Sequence, residues 1–277
     1  MPRSDSSLSG RSRRTSSISA AYAQPHRSGL DPCTRPAPPS WHARHTPPHG
    51  VHVPLVTPFA TDGSVAEDAL AGLAHAVLDE GADGIVALGT TGEVATLDAE
   101  ERETVVAICS RVCEERDAPL MIGAGTNDTR ATEHALAGLA RRPRASAALV
   151  TVPHFTRPSP EGVLAHFRQL AAAGPVPLVV YHIPYRTGLA LDAATLRALG
   201  RLPGVVGVKL AQGGIDQETV ALMGDLPPGF SVLAGDDAFF SPLLALGAAG
   251  GILASAHLAT RHFTGLAEVE AGAGRPH

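Results

Sequence analysis

Lysine is almost missing from this chain: of 277 residues one is lysine, Lys209, against 21 arginines. A sequence so biased can place arginine wherever a surface cation is wanted. Position 209 therefore calls for something a guanidinium does not do, which is to lose a proton when desolvated and attack a carbonyl as a free amine. Cysteine is also scarce. Cys33, Cys109 and Cys113 are too few and too unevenly placed for a disulfide framework, and the pair four apart reads as core-facing thiols in a reducing, cytoplasmic setting. Long hydrophobic runs are lacking, which excludes a membrane-spanning helix. Charge of one sign is not in excess (net −5), so there is no electrostatic footprint for nucleic acid. No Gly-x-Ser-x-Gly, His-Glu-x-x-His or Gly-x-x-x-x-Gly-Lys motif occurs, which argues against serine hydrolases, zinc proteases and nucleotide hydrolases.

Residues 1–49 are rich in Ser, Arg, Pro and His, contain only Asp5 and Asp31 as acids, and show no sustained apolar period. Such a composition buries too little surface to offset the entropy of ordering, so the arm is expected to be disordered. His42, His45, His49 and His52 have ligand-like spacing, but in a Pro-rich tail this reads as chance clustering.

From residue 50 onward the texture changes. Apolar, β-branched runs recur at 51–56, 84–88, 120–123, 147–151, 177–181, 205–209, 231–234 and 251–254, without alternation, as buried parallel strands do. Helical patterns fill the intervals at 66–80, 98–115, 130–141, 160–173, 192–199, 215–223 and 238–246. Two carry start signals: Ser159 precedes Pro160, and Asp98 stands three residues before Glu101. Eight strand–helix units over residues 50–277 predict a (β/α)8 TIM barrel as a single catalytic domain. A doubly wound sheet is less favoured, because no Gly-x-Gly-x-x-Gly follows the first strand. Little chain remains after the eighth strand, and Ala271–His277 is not helical in pattern, so the last helix is expected to be short.

In such barrels chemistry sits where strands end. Those positions hold Thr57, Gly89-Thr90-Thr91-Gly92-Glu93, Thr151 to Arg157, Tyr181 to Arg186, Lys209 and Gly235-Asp236-Asp237. Hydroxyls beside glycines suit a carboxylate, because backbone N–H groups can approach it closely. Tyr181 offers a phenol for proton relay and Arg186 a fork for a carboxylate. Asp236 and Asp237 read as helix N-caps more readily than as a metal pair.

The four motifs Gly89–Glu93, Tyr181–Gly188, Gly207-Val208-Lys209 and Gly235–Asp237 resemble, in order, those of the dihydrodipicolinate synthase / N-acetylneuraminate lyase family, over roughly residues 51–265. The resemblance implies a class I aldolase-type barrel in which Lys209 forms a Schiff base with pyruvate or a related 2-oxo acid. It also implies Tyr181 as proton relay, Thr90 and Thr91 at the pyruvate carboxylate or in the relay, and backbone groups of Gly235 and Ile252 beside the lysine. Arg186 matches the arginine that marks the synthases, where it binds the carboxylate of aspartate semialdehyde. The implied reaction is condensation of pyruvate with that aldehyde to 4-hydroxytetrahydrodipicolinate, on the lysine and diaminopimelate route. No metal or organic cofactor is implied, and the partners are small molecules and further copies of the chain, as in the family tetramer. Three positions depart from the pattern. Phe155 stands where synthases carry the second tyrosine of Tyr-Tyr-Asn, which is lent across a subunit interface; His182 replaces the usual Asn; and the family's C-terminal helical extension is lacking. The first two keep open another pyruvate- or 2-oxo-acid-dependent aldolase or hydro-lyase, the third a catalytically silent subunit.

Overall fold

A computed structural model describes residues 46–142 and 144–272; the arm expected to be disordered, apart from residues 46–49, lies outside these. Eight parallel strands close on themselves in chain order: β1 (Gly50–Pro54), β2 (Gly84–Ala87), β3 (Leu120–Gly123), β4 (Ala145–Thr151), β5 (Leu178–His182), β6 (Val205–Leu210), β7 (Ser231–Ala234) and β8 (Gly250–Ile252). Closure is made by β1, which pairs with β2 on one side and β8 on the other. The barrel read from the sequence is the observed fold.

Between the strands run α1 (Glu67–Asp79), α2 (Ala99–Glu115), α3 (Thr129–Gly138), α4 (Pro160–Ala173), α5 (Pro184–Thr187), α6 (Ala193–Gly200), α7 (Gln217–Met223), α8 (Phe240–Ala245) and α9 (Ala256–Gly272). Short polar side chains fix several starts. Asp98 accepts from the backbone N–H of Glu100 (2.8 Å) and Glu101 (2.9 Å), while Glu101 reaches back to the N–H of Asp98 (2.8 Å), a reciprocal box at the head of α2. Ser159 accepts from Gly162 N–H ahead of Pro160 at the head of α4. Each such cap is worth about 1 kcal/mol.

Successive side chains on a strand point to opposite faces, and two apolar layers result. Val51, Val53, Val150, Val180, Val208 and Val232 face the helices; Val86, Met121, Leu149, Val179, Tyr181, Leu233 and Ile252 fill the barrel interior. Cys109 and Cys113 are buried on α2 against the outer layer, with burial pushing both thiols up to about 12.

Two expectations need correction. The last helix is not short: α9 runs 17 residues, with a break at Ala259 (φ −148°, ψ 41°). Composition at the chain's end hid this, because its stability comes from packing, not propensity: Thr260 and Thr264 are buried, and Phe263, Leu266 and Ala267 lie on the outer core. His52 belongs to no tail. It is a β1 residue only 3 % exposed, whose Nε2 lies 3.0 Å from the His49 carbonyl and therefore carries the proton. It lines a cavity of about 310 Å³ at the N-terminal end of the barrel, with Pro48, His49, Asp83, Met121 and Val206. That cavity is at the end opposite to the strand-end motifs. Among the described residues no helix is long and apolar enough to cross a membrane.

Candidate active site

Lys209 sits one residue from the end of β6, pointing inward, and is 6 % exposed. The register places Tyr181 of β5 beside it on one side and Leu233 of β7 on the other. The Lys209 Nζ lies 4.4 Å from the centroid of the Tyr181 ring, which is also 6 % exposed. Removal from water is the main cause that lowers the Lys209 ammonium from 10.5 to about 8; Asp237 and Asp236 oppose that shift and Arg186 adds to it. At pH 7 this raises the free-amine fraction from about 0.03 % to about 9 %, roughly 300-fold.

The remaining candidates converge on this lysine to different degrees. Burial raises the Tyr181 phenol above its ordinary value, while a hydrogen bond with the Thr90 side chain and the charge of Arg186 pull it back. Thr90 and Thr91 lie in a 3-10 turn, Thr90–Gly92, directly after β2. Leu88 and Glu93, both with φ near 55°, bracket that turn, a conformation non-glycine residues adopt only when their surroundings hold them there. What holds it is a residue whose role the sequence reading left open: buried Thr57, after β1, donates its hydroxyl to the Gly92 carbonyl at 2.8 Å. A short polar residue at a strand end was the available signal.

Arg186 is exposed on α5, and its guanidinium lies 5.6 Å from the Tyr185 ring centroid. The close approach at Gly235 explains the glycine: a Cβ there would stand 3.1 Å from Lys209 Cε, 3.0 Å from the Leu210 carbonyl oxygen and 2.7 Å from Ala211 Cβ. Ile252 lines the same interior from β8.

Asp236 and Asp237 are not side-chain N-caps. The 3-10 turn Asp237–Phe239 has no such bond; instead Asp236 accepts from the backbone N–H of Gly213 (2.8 Å) and Asp237 from that of Ser255 (2.9 Å). Each carboxylate thus ties the loop after β7 to the loop after a neighbouring strand. His182 is neither a loop residue nor part of the barrel mouth. It ends β5 facing outward, is 1 % exposed, and its Nδ1 has no hydrogen-bond partner. Burial pushes it down to about 4 against the pull of Asp216. Phe155, by contrast, is 87 % exposed in the loop after β4, with φ 66° and its N–H donated to the Thr187 carbonyl at 3.1 Å.

A buried amine with a depressed pKa, a phenol beside it and a hydroxyl hydrogen-bonded to that phenol are groups able to form an imine with a carbonyl compound and to move protons about it. Residues 47–274 match the model of the dihydrodipicolinate synthetase family. The chain belongs to that family. It is a lyase of the dihydrodipicolinate synthetase type, 40 % identical over 202 residues to the 4-hydroxy-tetrahydrodipicolinate synthase of Maridesulfovibrio salexigens, covering 73 % of this chain and 68 % of the relative. To the enzyme of the same name from Neisseria meningitidis serogroup C it is 37 % identical, over 77 % of this chain and 72 % of the relative. Among solved structures of the family, the chloride-inhibited dihydrodipicolinate synthase of Acinetobacter baumannii, complexed with pyruvate, superposes with a TM-score of 0.77 at 34 % identity, covering 81 % of this chain and 76 % of that one. A structure described as the first monomeric dihydrodipicolinate synthase variant matches with a TM-score of 0.75 at 32 % identity, over 81 % of this chain and 75 % of that one.

Proposed function

We propose that the protein condenses pyruvate with aspartate semialdehyde to 4-hydroxytetrahydrodipicolinate through an imine on Lys209. The observation that carries the reading is the chain's one lysine, buried at a barrel strand end beside Tyr181 with its pKa lowered to about 8. As a free amine, Nζ adds to the ketone carbon of pyruvate, and the carbinolamine expels its oxygen as water to give an iminium. That cation withdraws electrons from the neighbouring methyl group, which loses a proton and becomes an enamine. The enamine carbon forms the new bond to the aldehyde carbon, whose oxygen takes up the proton, and the iminium on Lys209 is restored; the amino group of the condensed semialdehyde then adds to the imine carbon and expels the Lys209 amine, which closes the ring and frees the enzyme. Tyr181 relays protons to and from the carbinolamine and the aldehyde oxygen, with Thr90 as its partner; Thr91 and the backbone of its turn take the pyruvate carboxylate. Gly235 and Ile252 leave space and backbone groups beside the imine, and Arg186 takes the carboxylate of the aldehyde substrate. The chain acts without a metal or organic cofactor and assembles with further copies of itself.

The relatives' shared name and the family's pyruvate-bound structure support this substrate pair. The test is direct: the purified protein is mixed with both substrates, and product formation is followed by mass spectrometry. Consumption of both substrates with the condensation product is the expected result. Imine formation with pyruvate but no consumption of the semialdehyde favours the second reading, another 2-oxo-acid-dependent aldolase or hydro-lyase of the family. The exposed Phe155, which carries no hydroxyl to lend to a proton relay, is the observation behind that alternative.

A further inference from the structure

The hydroxyl turn after β2 is braced from across the barrel's closing seam, by a histidine that the chemistry above leaves unused. β1 ends at Pro54, and the peptide that joins Leu55 to Val56 is held on both its sides. Its carbonyl oxygen lies against Gly92, where a Cβ would stand only 2.9 Å away. Its N–H donates at 3.2 Å to Nε2 of His257, in the first turn of α9. Because Nε2 accepts, the ring proton is on Nδ1, which donates to the Ala254 carbonyl at 2.7 Å. Both ring nitrogens are thus in use, and the loop after β8 is tied to the loop after β1. Thr57, the next residue along, touches the same glycine a second time, its hydroxyl donating to the Gly92 carbonyl at 2.8 Å. Beyond Gly92 the turn is closed by its own backbone, with Gly92 N–H on the Gly89 carbonyl (3.0 Å) and Glu93 N–H on that of Thr90 (3.2 Å). Thr90 in turn is hydrogen-bonded to Tyr181.

We infer that His257 and Thr57 are positioning residues, His257 fixing the Leu55–Val56 peptide and Thr57 the Gly92 carbonyl, which together keep the Thr90–Gly92 turn set against Tyr181. The turn needs such a hold. Leu88 and Glu93 on its flanks both have φ near 55°, a conformation that relaxes unless neighbours maintain it. Gly92 has no side chain to lock, so its place is set by what its backbone touches: the Leu55 oxygen on one side and the Thr57 hydroxyl on the other. Contact with that oxygen lasts only while the peptide stays still. Without an acceptor for the Val56 N–H, the peptide can rotate and carry its oxygen away from Gly92. The Thr57 bond is shorter and more buried, so it is the stronger hold and His257 the weaker. The kinetic consequence rests on the function proposed above; the hold on the turn does not.

Four variants separate the hydrogen bonds from the bulk of the side chains. Thr57→Val and His257→Leu keep much of the volume and remove the bond; Thr57→Ser keeps a donor and His257→Gln an acceptor. Hydrogen exchange of the peptide that carries Gly92 and Glu93, read by mass spectrometry, reports the turn directly. Exchange there is expected to quicken about tenfold in Thr57→Val and about threefold in His257→Leu, with the Ser and Gln variants close to the unaltered protein. The pyruvate concentration for half-maximal borohydride trapping should rise by similar factors, because the turn takes the pyruvate carboxylate. A role in stability alone lowers the melting temperature and leaves both readings, taken well below it, in place. Exchange unmoved, or trapping unmoved in a protein that traps pyruvate, overturns the inference for the residue replaced; so does an equal change in its Ser or Gln counterpart. Should Thr57→Val fail to fold, His257→Leu, on a partly buried residue, decides it alone. Failure of the unaltered protein to trap pyruvate counts against the proposed function and leaves the exchange rates to judge the two residues.

Discussion

Acid should weaken this fold through two histidines that have no part in the chemistry. His52, inside the barrel on β1, and His182, outside it on β5, are both pushed by burial from 6.5 to about 4; Asp83 and Asp216 respectively pull the other way. The unfolded chain binds protons at both positions near pH 6.5, whereas the folded chain resists until about pH 4. Their contribution is therefore fully present above pH 6.5, is lost progressively as pH falls toward 4, and changes no further below that. A histidine lowered from 6.5 to about 4 is worth on the order of 3 kcal/mol, with a slope of about 1.4 kcal/mol per pH unit inside the window. Between pH 6.5 and 5 the pair should cost about 3 kcal/mol, a large share of the ~5–15 kcal/mol of a typical domain. Urea unfolding followed by circular dichroism at pH 7.5, 6.5, 5.5 and 5 measures this. His52→Gln and His182→Gln, which cannot take up the proton, should each flatten the slope by about 1.4 kcal/mol per pH unit, whatever they do to stability at pH 7.5. If both variants keep the slope of the unaltered protein, the two rings are not held neutral and the reasoning fails.

Two further substitutions probe the site. Tyr181→Phe keeps the ring against Lys209 and removes the phenol, so imine trapping should survive while turnover falls at least about 10²-fold; unchanged turnover would exclude the phenol from proton transfer. Gly235→Ala puts a methyl group 3.0 Å from a backbone oxygen that cannot yield and 3.1 Å from Lys209 Cε, which must. A loss of about 1–3 kcal/mol in thermal unfolding together with slower trapping is expected, and normal trapping would show that the lysine has more room than its neighbours imply.

How legible the molecule was in its sequence depended on whether a feature is local. The eight strands read cleanly because residues buried on both faces give unbroken runs such as Leu120–Gly123 and Ser231–Ala234, and the helices at 98–115 and 160–173 announced themselves through Asp98 and Ser159. Lys209 stood out through an absence, the loss of every other lysine. Features made by tertiary contact were not legible. The length of α9 comes from its packing on the barrel, the separate identity of α5 from four residues beginning at Pro184, and the outward direction of His182 from strand alternation that places its neighbour Tyr181 inside. Asp236 and Asp237 looked like helix caps because Asp before a helix usually is one; only the folded loops reveal Gly213 and Ser255 as their partners.

The measurement that bears most directly on the central claim is borohydride reduction of the protein mixed with pyruvate, read as intact mass and then mapped by peptide. A single adduct on Lys209, absent from Lys209→Arg with its fold retained, is the expected result. An adduct in that variant, or none in the folded unaltered protein, would contradict the assignment of Lys209 as the amine that carries pyruvate.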